Sequence, residues 1–316
     1  MHLYSAYGLT FASALPLPDM VAGEGRADVC ISIVRSVARD LREDSPIQCV
    51  SVSPSRVQLT WGLVGDLLIE DGRKITIFPA QQADDESLRL FLLGAGLGVL
   101  LHQRGLLVLH ASGVAIRGRA VGFVGAKGWG KSTTASALNR LGHPLVTDEL
   151  LVIRFDERGW AMAMPGSSQI KLWADALIGT GADPDSAEPV VPGANKYYVS
   201  ASSSERRSVP ISRLYVLDGG EDLCLKPMSS GEAFFGMVPH VYVSRFGTQF
   251  MRSANVTHTF KQVNALLKAA SVARLLRRPD LSQLDDIARL VEADILQEGP
   301  SMQTGLAELS CLQGQQ

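Results

Sequence analysis

Apolar and polar positions change their period along the chain, and each change marks a new kind of element. Over the first 80 or so residues they alternate. Segments 29–34 (VCISIV), 56–61 (RVQLTW) and 74–78 (KITIF) place branched and aromatic residues at every second position, the period of a half-buried strand. Asp71-Gly72, between LLI at 67–69 and ITI at 75–77, is a hairpin signal, because a two-residue turn needs left-handed backbone and Asp-Gly adopts it readily. The pattern predicts a small, mainly β module over residues 1–83. At 84 the alternation stops. Asp84-Asp85-Glu86-Ser87 places carboxylates at the positive end of a helix dipole. Residues 88–103 are then apolar on most faces, which predicts a buried connecting helix over 84–104, ended by Arg104-Gly105.

From 105 onward strand-like and helix-like runs interchange, the signature of an α/β domain, here over 105–297. Strands are predicted at 106–111, with 113–117 continuing or pairing with it, and at 120–124, 144–149, 150–155, 196–199 and 211–217. Helices are predicted at 132–141, 174–178, 259–278 and 282–297, the last two separated by Pro279. Arg274, Arg277 and Arg278 would then lie at a helix C-terminus, where cations suit the dipole. Residues 179–193 carry Gly, Asp, Pro and Ser without periodicity and read as a long mobile loop of the kind that forms lids. The polar, Gly-rich segment 298–316 reads as a flexible tail.

Composition narrows the classes. With 46% apolar residues in 316, the chain can bury a substantial core. A net charge of −2 gives no basic field for nucleic acid. The longest apolar run, 90–101, is too short for a bilayer span of about 20 residues, so no membrane partner is expected. Cys30, Cys49, Cys224 and Cys311 are scattered without metal spacing and read as free thiols of a reducing, cytoplasmic compartment. The N-terminus lacks a basic region followed by a sustained apolar one, so no signal peptide is expected.

The chemistry centres on VGFVGAKGWGKSTT at 121–134, which contains G-x-x-x-x-G-K-[ST] between a strand-like and a helix-like run. Gly125, Ala126, Lys127, Gly128, Trp129, Gly130, Lys131, Ser132 and Thr133 form the predicted nucleotide-binding set. Consecutive amides of such a loop curl around phosphate oxygens, and the helix N-terminus adds partial positive charge. Lys131 would reach the β- and γ-phosphates of ATP, and Ser132 Oγ would ligate Mg²⁺. Trp129 reads equally as a packing residue and as a neighbour of adenine or phosphate. Asp148 and Glu149 end a strand shortly beyond the loop, which places them at the γ-phosphate end. Because adjacent strand side chains point to opposite faces, Glu149 could also be a spectator. An ABC-type ATPase would place this carboxylate element far downstream, after an LSGGQ-like signature, and neither feature is present.

Three stretches in this order and spacing, LHASGV at 109–114, FVGAKGWGKST at 123–133 and GHPLVTDE at 142–149, resemble the kinase domain of HPr serine kinase/phosphorylase and its shorter relatives, some of which phosphorylate lasso-peptide precursors. IKLWAD at 170–175, PISRLYVL at 210–217 and the opening YSAYGL at 4–9 are similar to segments of those relatives. The resemblance implies a P-loop domain of the PEP-carboxykinase/HPr-kinase type, with a mixed sheet. It implies Asp148 as the general base for a serine hydroxyl and His110 as its neighbour, orienting Asp148 or touching the phosphoryl group. It implies Mg²⁺ held by Ser132 and by Glu149 or Asp148. The partner implied is a peptide or small protein bearing an acceptor serine, such as the C-terminal serine of a lasso-peptide precursor. Relatives form rings, so a homo-oligomer is an open expectation. Lys171 and Lys196 are candidates for stabilising transferred charge, although a solvated lysine is the better reading of either alone.

The chain departs from the family pattern at Ala126-Lys127, where Ser is usual, and at Asp148-Glu149, where Asp-Asp is usual. It has SSQIK at 167–171 in the region of the E-x-R-G signature. A specialised peptide kinase therefore fits better than an HPr kinase/phosphorylase. A small-metabolite kinase and a non-catalytic nucleotide-binding regulator are the alternatives.

Overall fold

The computed structural model describes residues 1–18, 20–35, 45–180, 187–191, 193–247, 250 and 256–297. The predicted tail at 298–316 and residues 181–186 and 192 of the predicted 179–193 loop lie outside these residues, as does Cys311. The protein is a mixed α/β structure.

The first eight strands are β1 (His2–Ala6), β2 (Leu9–Ser13), β3 (Val21–Ala22), β4 (Val29–Ile33), β5 (Gln48–Val52), β6 (Arg56–Trp61), β7 (Gly65–Glu70) and β8 (Lys74–Pro79). They form one mixed sheet in the order β3-β1-β2-β4-β8-β7-β6-β5. The Asp71-Gly72 turn joins β7 to β8 with Glu70 opposite Lys74, and both turn residues have left-handed φ (53° and 61°).

The apolar stretch after Asp84 is helical throughout but not uniformly α. Helix α1 (Asp85–Phe91) passes through a π-helical turn (Leu92–Gly96) into α2 (Leu97–Gln103). Asp84 caps it, accepting from Ser87 N at 2.6 Å. A π turn inserts one residue into the helical ladder and re-aims the side chains after it. Here it seats Gly96 against Leu67 of the first sheet and turns Gly94 and Gly98 towards Tyr242.

The second half follows with β9 (Leu107–Ile116), β10 (Arg119–Val124), α3 (Lys131–Arg140), β11 (Leu145–Thr147), β12 (Leu150–Phe155), β13 (Ala161–Met164), β14 (Gln169–Trp173), α4 (Ala174–Gly179), β15 (Glu188–Pro189), β16 (Lys196–Ser200), β17 (Val209–Gly219), β18 (Cys224–Pro227), α5 (Ser230–Met237), α6 (Val256–Ala269), β19 (Ser271–Arg277) and α7 (Leu284–Gln297). The main sheet runs β10-β9-β12-β13-β17-β19-β18, and β10 also pairs with β17 in parallel, so five of these strands close on themselves. The long strands β9 and β17 make this possible, each pairing with different partners at its two ends. Strands β14, β16 and β15 form a separate small sheet.

One expectation fails outright. The helix predicted over 259–278 ends at Ala269, and Ser271–Arg277 is a strand lying between β17 and β18. Both parts mix apolar with polar residues, and no glycine or proline marks the change. Partnership with β17 over seven residue pairs decides it. Arg274 and Arg277 therefore sit on a strand, not at a helix C-terminus, and Pro279 lies in the turn before α7. Of the two readings of 113–117, continuation holds, since β9 runs unbroken from Leu107 to Ile116.

Candidate active site

Strand β10 lies between β9 and β17 and delivers the loop 125–130 at its C-terminal end. Gly125, Gly128 and Gly130 have φ of 159°, 85° and 73°, so the last two adopt backbone that glycine tolerates and other residues resist. Gly130 is the N-cap of α3, and no side chain caps that helix end. Ser132 and Thr133 occupy its first turn. The amides there are available to an anion. Lys131 is buried and folds back over the loop, its Nζ donating to Gly125 O (2.8 Å) and Ala126 O (3.1 Å). Burial pushes its ammonium down to about 8, against the pull of Asp148 and Glu149. An incoming phosphate would supply the negative charge this site lacks.

The loop is braced from behind by a residue that sequence reasoning assigned elsewhere. Arg277, at the end of β19, donates from Nη2 to Trp129 O (2.7 Å) and from Nη1 to Arg278 O (3.1 Å). A Cβ on Gly130 would stand 2.5 Å from Nη2, so Gly130 is needed both for its φ and for this contact. The Trp129 ring lies over Gly219 and beside the second apolar cluster, and so serves as packing. Lys127 is exposed at the tip.

The carboxylates come from the join of β11 and β12, which both pair with β9. The β11 register shifts by one residue between Leu145 and Thr147, and such an irregularity re-aims the side chains that follow. Glu149 has a left-handed φ of 76°, rare for a residue with a Cβ. The two carboxylates therefore do not diverge to opposite faces as simple alternation would have it. Both meet Lys171 of β14. The Lys171 amide donates to Asp148 Oδ2 (2.9 Å), and its Nζ pairs with Glu149 Oε2 (2.6 Å). The other Asp148 oxygen, Oδ1, accepts from Ser112 Oγ at 2.6 Å. Asp148 is buried and its carboxylate is fixed from two sides. Burial alone would raise the Glu149 carboxyl, but Lys171 outweighs it and holds the group down at about 2. Lys171 is thus a largely buried, ion-paired residue, not a solvated one. Lys196 of β16 stands over the Trp173 ring (5.8 Å), and burial together with Lys171 and Lys127 lowers its ammonium.

His110 sits two residues before Ser112 on the same face of β9. Its expected place beside Asp148 holds only in part, since Ser112, not His110, is hydrogen-bonded to that carboxylate. The His110 ring lies 6.0 Å from that of Tyr242, and its Nδ1 is buried without a partner. Burial, then the nearby Lys131, keeps the imidazole neutral down to about pH 4. His240, partly buried, is likewise lowered to about 4 by burial and Lys131. Tyr242 accepts from Arg245 Nη1 at 2.9 Å, and Arg245 also stacks on its ring (4.9 Å). The segment carrying these three residues follows α5 and went unread in the sequence. Its one available signal was the Ser229-x-x-Glu232 capping box that starts α5.

Among the described residues no three His, Cys, Asp or Glu side chains cluster as an all-protein metal cage. One hydroxyl and one or two carboxylates near a phosphate loop are instead the donor set expected for Mg²⁺, which keeps waters and phosphate oxygens as its other ligands. No helix of the described residues is long and apolar enough to cross a membrane.

No family model matches the chain, and no curated protein matches it. Among solved structures it is similar to the HPr(Ser) kinase/phosphatase from Coxiella burnetii, at 14% identity and a TM-score of 0.31, over 61% of this chain and 99% of that one. Superposition at that score does not fix a common topology, so the reading of the site rests on its own geometry: a glycine-rich loop with a buried lysine, and a carboxylate held by Ser112 and Lys171.

Proposed function

We propose that the protein is an ATP-dependent kinase that transfers the γ-phosphoryl group to a serine hydroxyl of a peptide or small protein, the C-terminal serine of a lasso-peptide precursor being one such acceptor. The observation that carries this reading is the convergence of Lys131 on the phosphate loop with the oriented carboxylate of Asp148. A nucleotide binder needs the first and has no use for the second.

In this reading the loop amides and Lys131 hold the phosphates. Lys131 exchanges its two carbonyl partners for phosphate oxygens, a small movement because it already lies along the loop. Ser132 and Asp148 fit Mg²⁺ better than Glu149 does, since Lys171 already neutralises Glu149. The metal, when bound, offsets charge on the phosphates. The acceptor oxygen bonds to the γ-phosphorus as the bond to the bridging β–γ oxygen breaks, ADP leaves, and the hydroxyl proton passes to Asp148. Ser112 and the Lys171 amide aim the Asp148 carboxylate and leave lone pairs for that proton. Neutral His110 lies on the phosphoryl side, near Lys131, with Nδ1 unpaired.

The test is intact-mass spectrometry of HPr, a serine-ending peptide and its alanine-ending twin after incubation with ATP and Mg²⁺. One added phosphoryl group on the serine-ending peptide alone is the expected result. Asp148→Asn should lower kcat by about 10²–10⁴ while ATP still raises the melting temperature. Full activity in that variant would remove Asp148 as the base.

A further inference from the structure

The small sheet of β14, β16 and β15 meets the site with one face. On its other face Ile170, Leu172, Tyr197 and Val199 pack into the second apolar cluster. The alternate positions, Lys171 and Trp173 of β14 with Lys196 and Tyr198 of β16, therefore share the face towards the site. The register sets Lys171 opposite Tyr198 and Trp173 opposite Lys196. Each lysine lies over its cross-strand ring, Lys171 Nζ at 5.9 Å and Lys196 Nζ at 5.8 Å from the centroid. The ion pair of Lys171 with Glu149 fixes where this face points.

The two lysines differ in what they touch. Lys171 is committed, its amide to Asp148 and its ammonium to Glu149. Asp148 takes its other bond from Ser112. Among the described residues the Lys196 ammonium makes no hydrogen bond or ion pair and has the Trp173 ring as its contact. Lys196 is nevertheless half-buried. The charges that act on it are those of Asp148, Glu149, Lys171 and Lys127, and it acts in turn on Lys131. Its ammonium thus lies between the loop 125–130 and the carboxylates. Lys131, Lys171 and Lys196 set three cations against two carboxylates there. A half-buried cation without an acceptor is costly unless an anion completes it. Trp173 remains 44% exposed, so core packing does not account for it. Its ring instead restrains a lysine that would otherwise swing into solvent.

We infer that Lys196 contacts the γ-phosphoryl group of the nucleotide, that Trp173 positions it, and that Lys171 instead holds the carboxylates. The inference rests on the nucleotide reading of the loop and deepens the kinase reading. Lys131 reaches the phosphates from the loop side, and Lys196 reaches the terminal one from the sheet side. Lys196 donates a hydrogen bond to a non-bridging γ-oxygen and gives up no proton. Charge developing on those oxygens during transfer is then met by a cation already in place. ADP has no third phosphate to meet that cation, so Lys196 also separates ATP from ADP.

The readout is the affinity ratio of a non-hydrolysable ATP analogue to ADP, both with Mg²⁺, measured calorimetrically on the full chain. Lys196→Met should weaken the analogue by at least about tenfold, the loss expected for a hydrogen bond between charged groups, and ADP by less than about threefold. Trp173→Ala should weaken the analogue in the same direction, and Trp173→Phe should restore it. The double variant, Lys196→Met with Trp173→Ala, should bind the analogue no more weakly than Lys196→Met alone. A merely structural tryptophan would add its own loss. The ADP-induced melting shift shows that a variant is folded, and Lys196→Gln takes the place of Lys196→Met should that variant not fold. Unchanged analogue affinity in a folded variant, equal losses for analogue and ADP, or no nucleotide binding by the wild type would overturn the inference. The kinase reading fails separately. A Lys196-dependent preference for the analogue, with no phosphoryl transfer to any acceptor, keeps the contact and removes the kinase. Phosphoryl transfer with the preference unchanged in Lys196→Met keeps the kinase and removes the contact.

Discussion

At the residue scale the site is a set of charges that hold one another in place. Lys171 bonds both carboxylates through different atoms, its amide to Asp148 and its ammonium to Glu149, so its backbone and side chain serve separate neighbours. These charges have a pH consequence whose direction is fixed. His110 is lowered from its usual value near 6.5 to about 4, so between those values the unfolded chain binds a proton that the native imidazole refuses. Native stability is lost as pH falls from 6.5 towards 4. Glu149 is lowered from 4.5 to about 2, and its contribution, full above 4.5, is lost as pH falls from 4.5 towards 2. Both effects have the same sign, and His240 adds to the first. Urea midpoints should fall steadily below pH 6.5. His110→Asn should reduce the proton uptake on unfolding near pH 5 by about one proton per molecule. An unchanged slope would mean that His110 titrates normally in the native state.

Single residues also show where reading by type misleads. Ser112 falls within LHASGV at 109–114 but has no role assigned from the sequence, yet it is the hydrogen-bond partner of Asp148. The signal available was its place two residues after His110, on the same face of a strand.

At the scale of elements, the helix-to-strand change after Ala269 and the π turn at Leu92–Gly96 are the two devices that complete the site. Strand β19 brings Arg277 behind the phosphate loop. The π turn aligns Gly94 and Gly98 so that Tyr242 and Glu149 can approach the helix. A Cβ at Gly98 would stand 2.3 Å from the Tyr242 ring, and one at Gly94 would stand 2.9 Å from Glu149 Oε1. Gly98→Ala should therefore lower stability by about 1–3 kcal/mol through overpacking, against a small gain in helix propensity. Chemical denaturation measures the sum, and a variant as stable as the wild type would show that the tyrosine moves aside at no cost.

At the scale of the whole molecule, one apolar cluster joins the two halves. It runs from Phe11, Ile31 and Leu59 in the first sheet through Leu92 and Leu100 of the helix to Leu109, Val152 and Val263. A second cluster, on the far face of the main sheet, packs α3 and α7 against β10, β17 and β19. A shared core predicts a single cooperative unfolding transition. Tyr7, at the β1–β2 turn, is buried against Gly166 of the second half, and Tyr7→Ala should lower stability by about 3–5 kcal/mol in that same transition. A separate early transition for the N-terminal module would show instead that its contacts with the second half are too weak to couple them.

The sequence by itself determined most of the local elements and the glycine-rich loop between a strand and a helix. Periodicity placed most strands, and G-x-x-x-x-G-K-[ST] is a contiguous device whose geometry needs only the strand before it and the helix after it. It also placed Asp148 and Glu149 at a strand end. Only the tertiary structure decided what surrounds them. Ser112, Lys171, Arg277 and Tyr7 reach the site from four separate stretches of chain, through sheet register, a change of element type and the docking of a turn tip. None of these is encoded in local period, because a strand's pairing partner and a side chain's burial depend on residues far away along the chain. The near-equal fitness of 271–277 for helix or strand is settled by β17 beside it. The convergence of both carboxylates on Lys171 is settled by a register shift and one left-handed residue, neither of which the apolar pattern records.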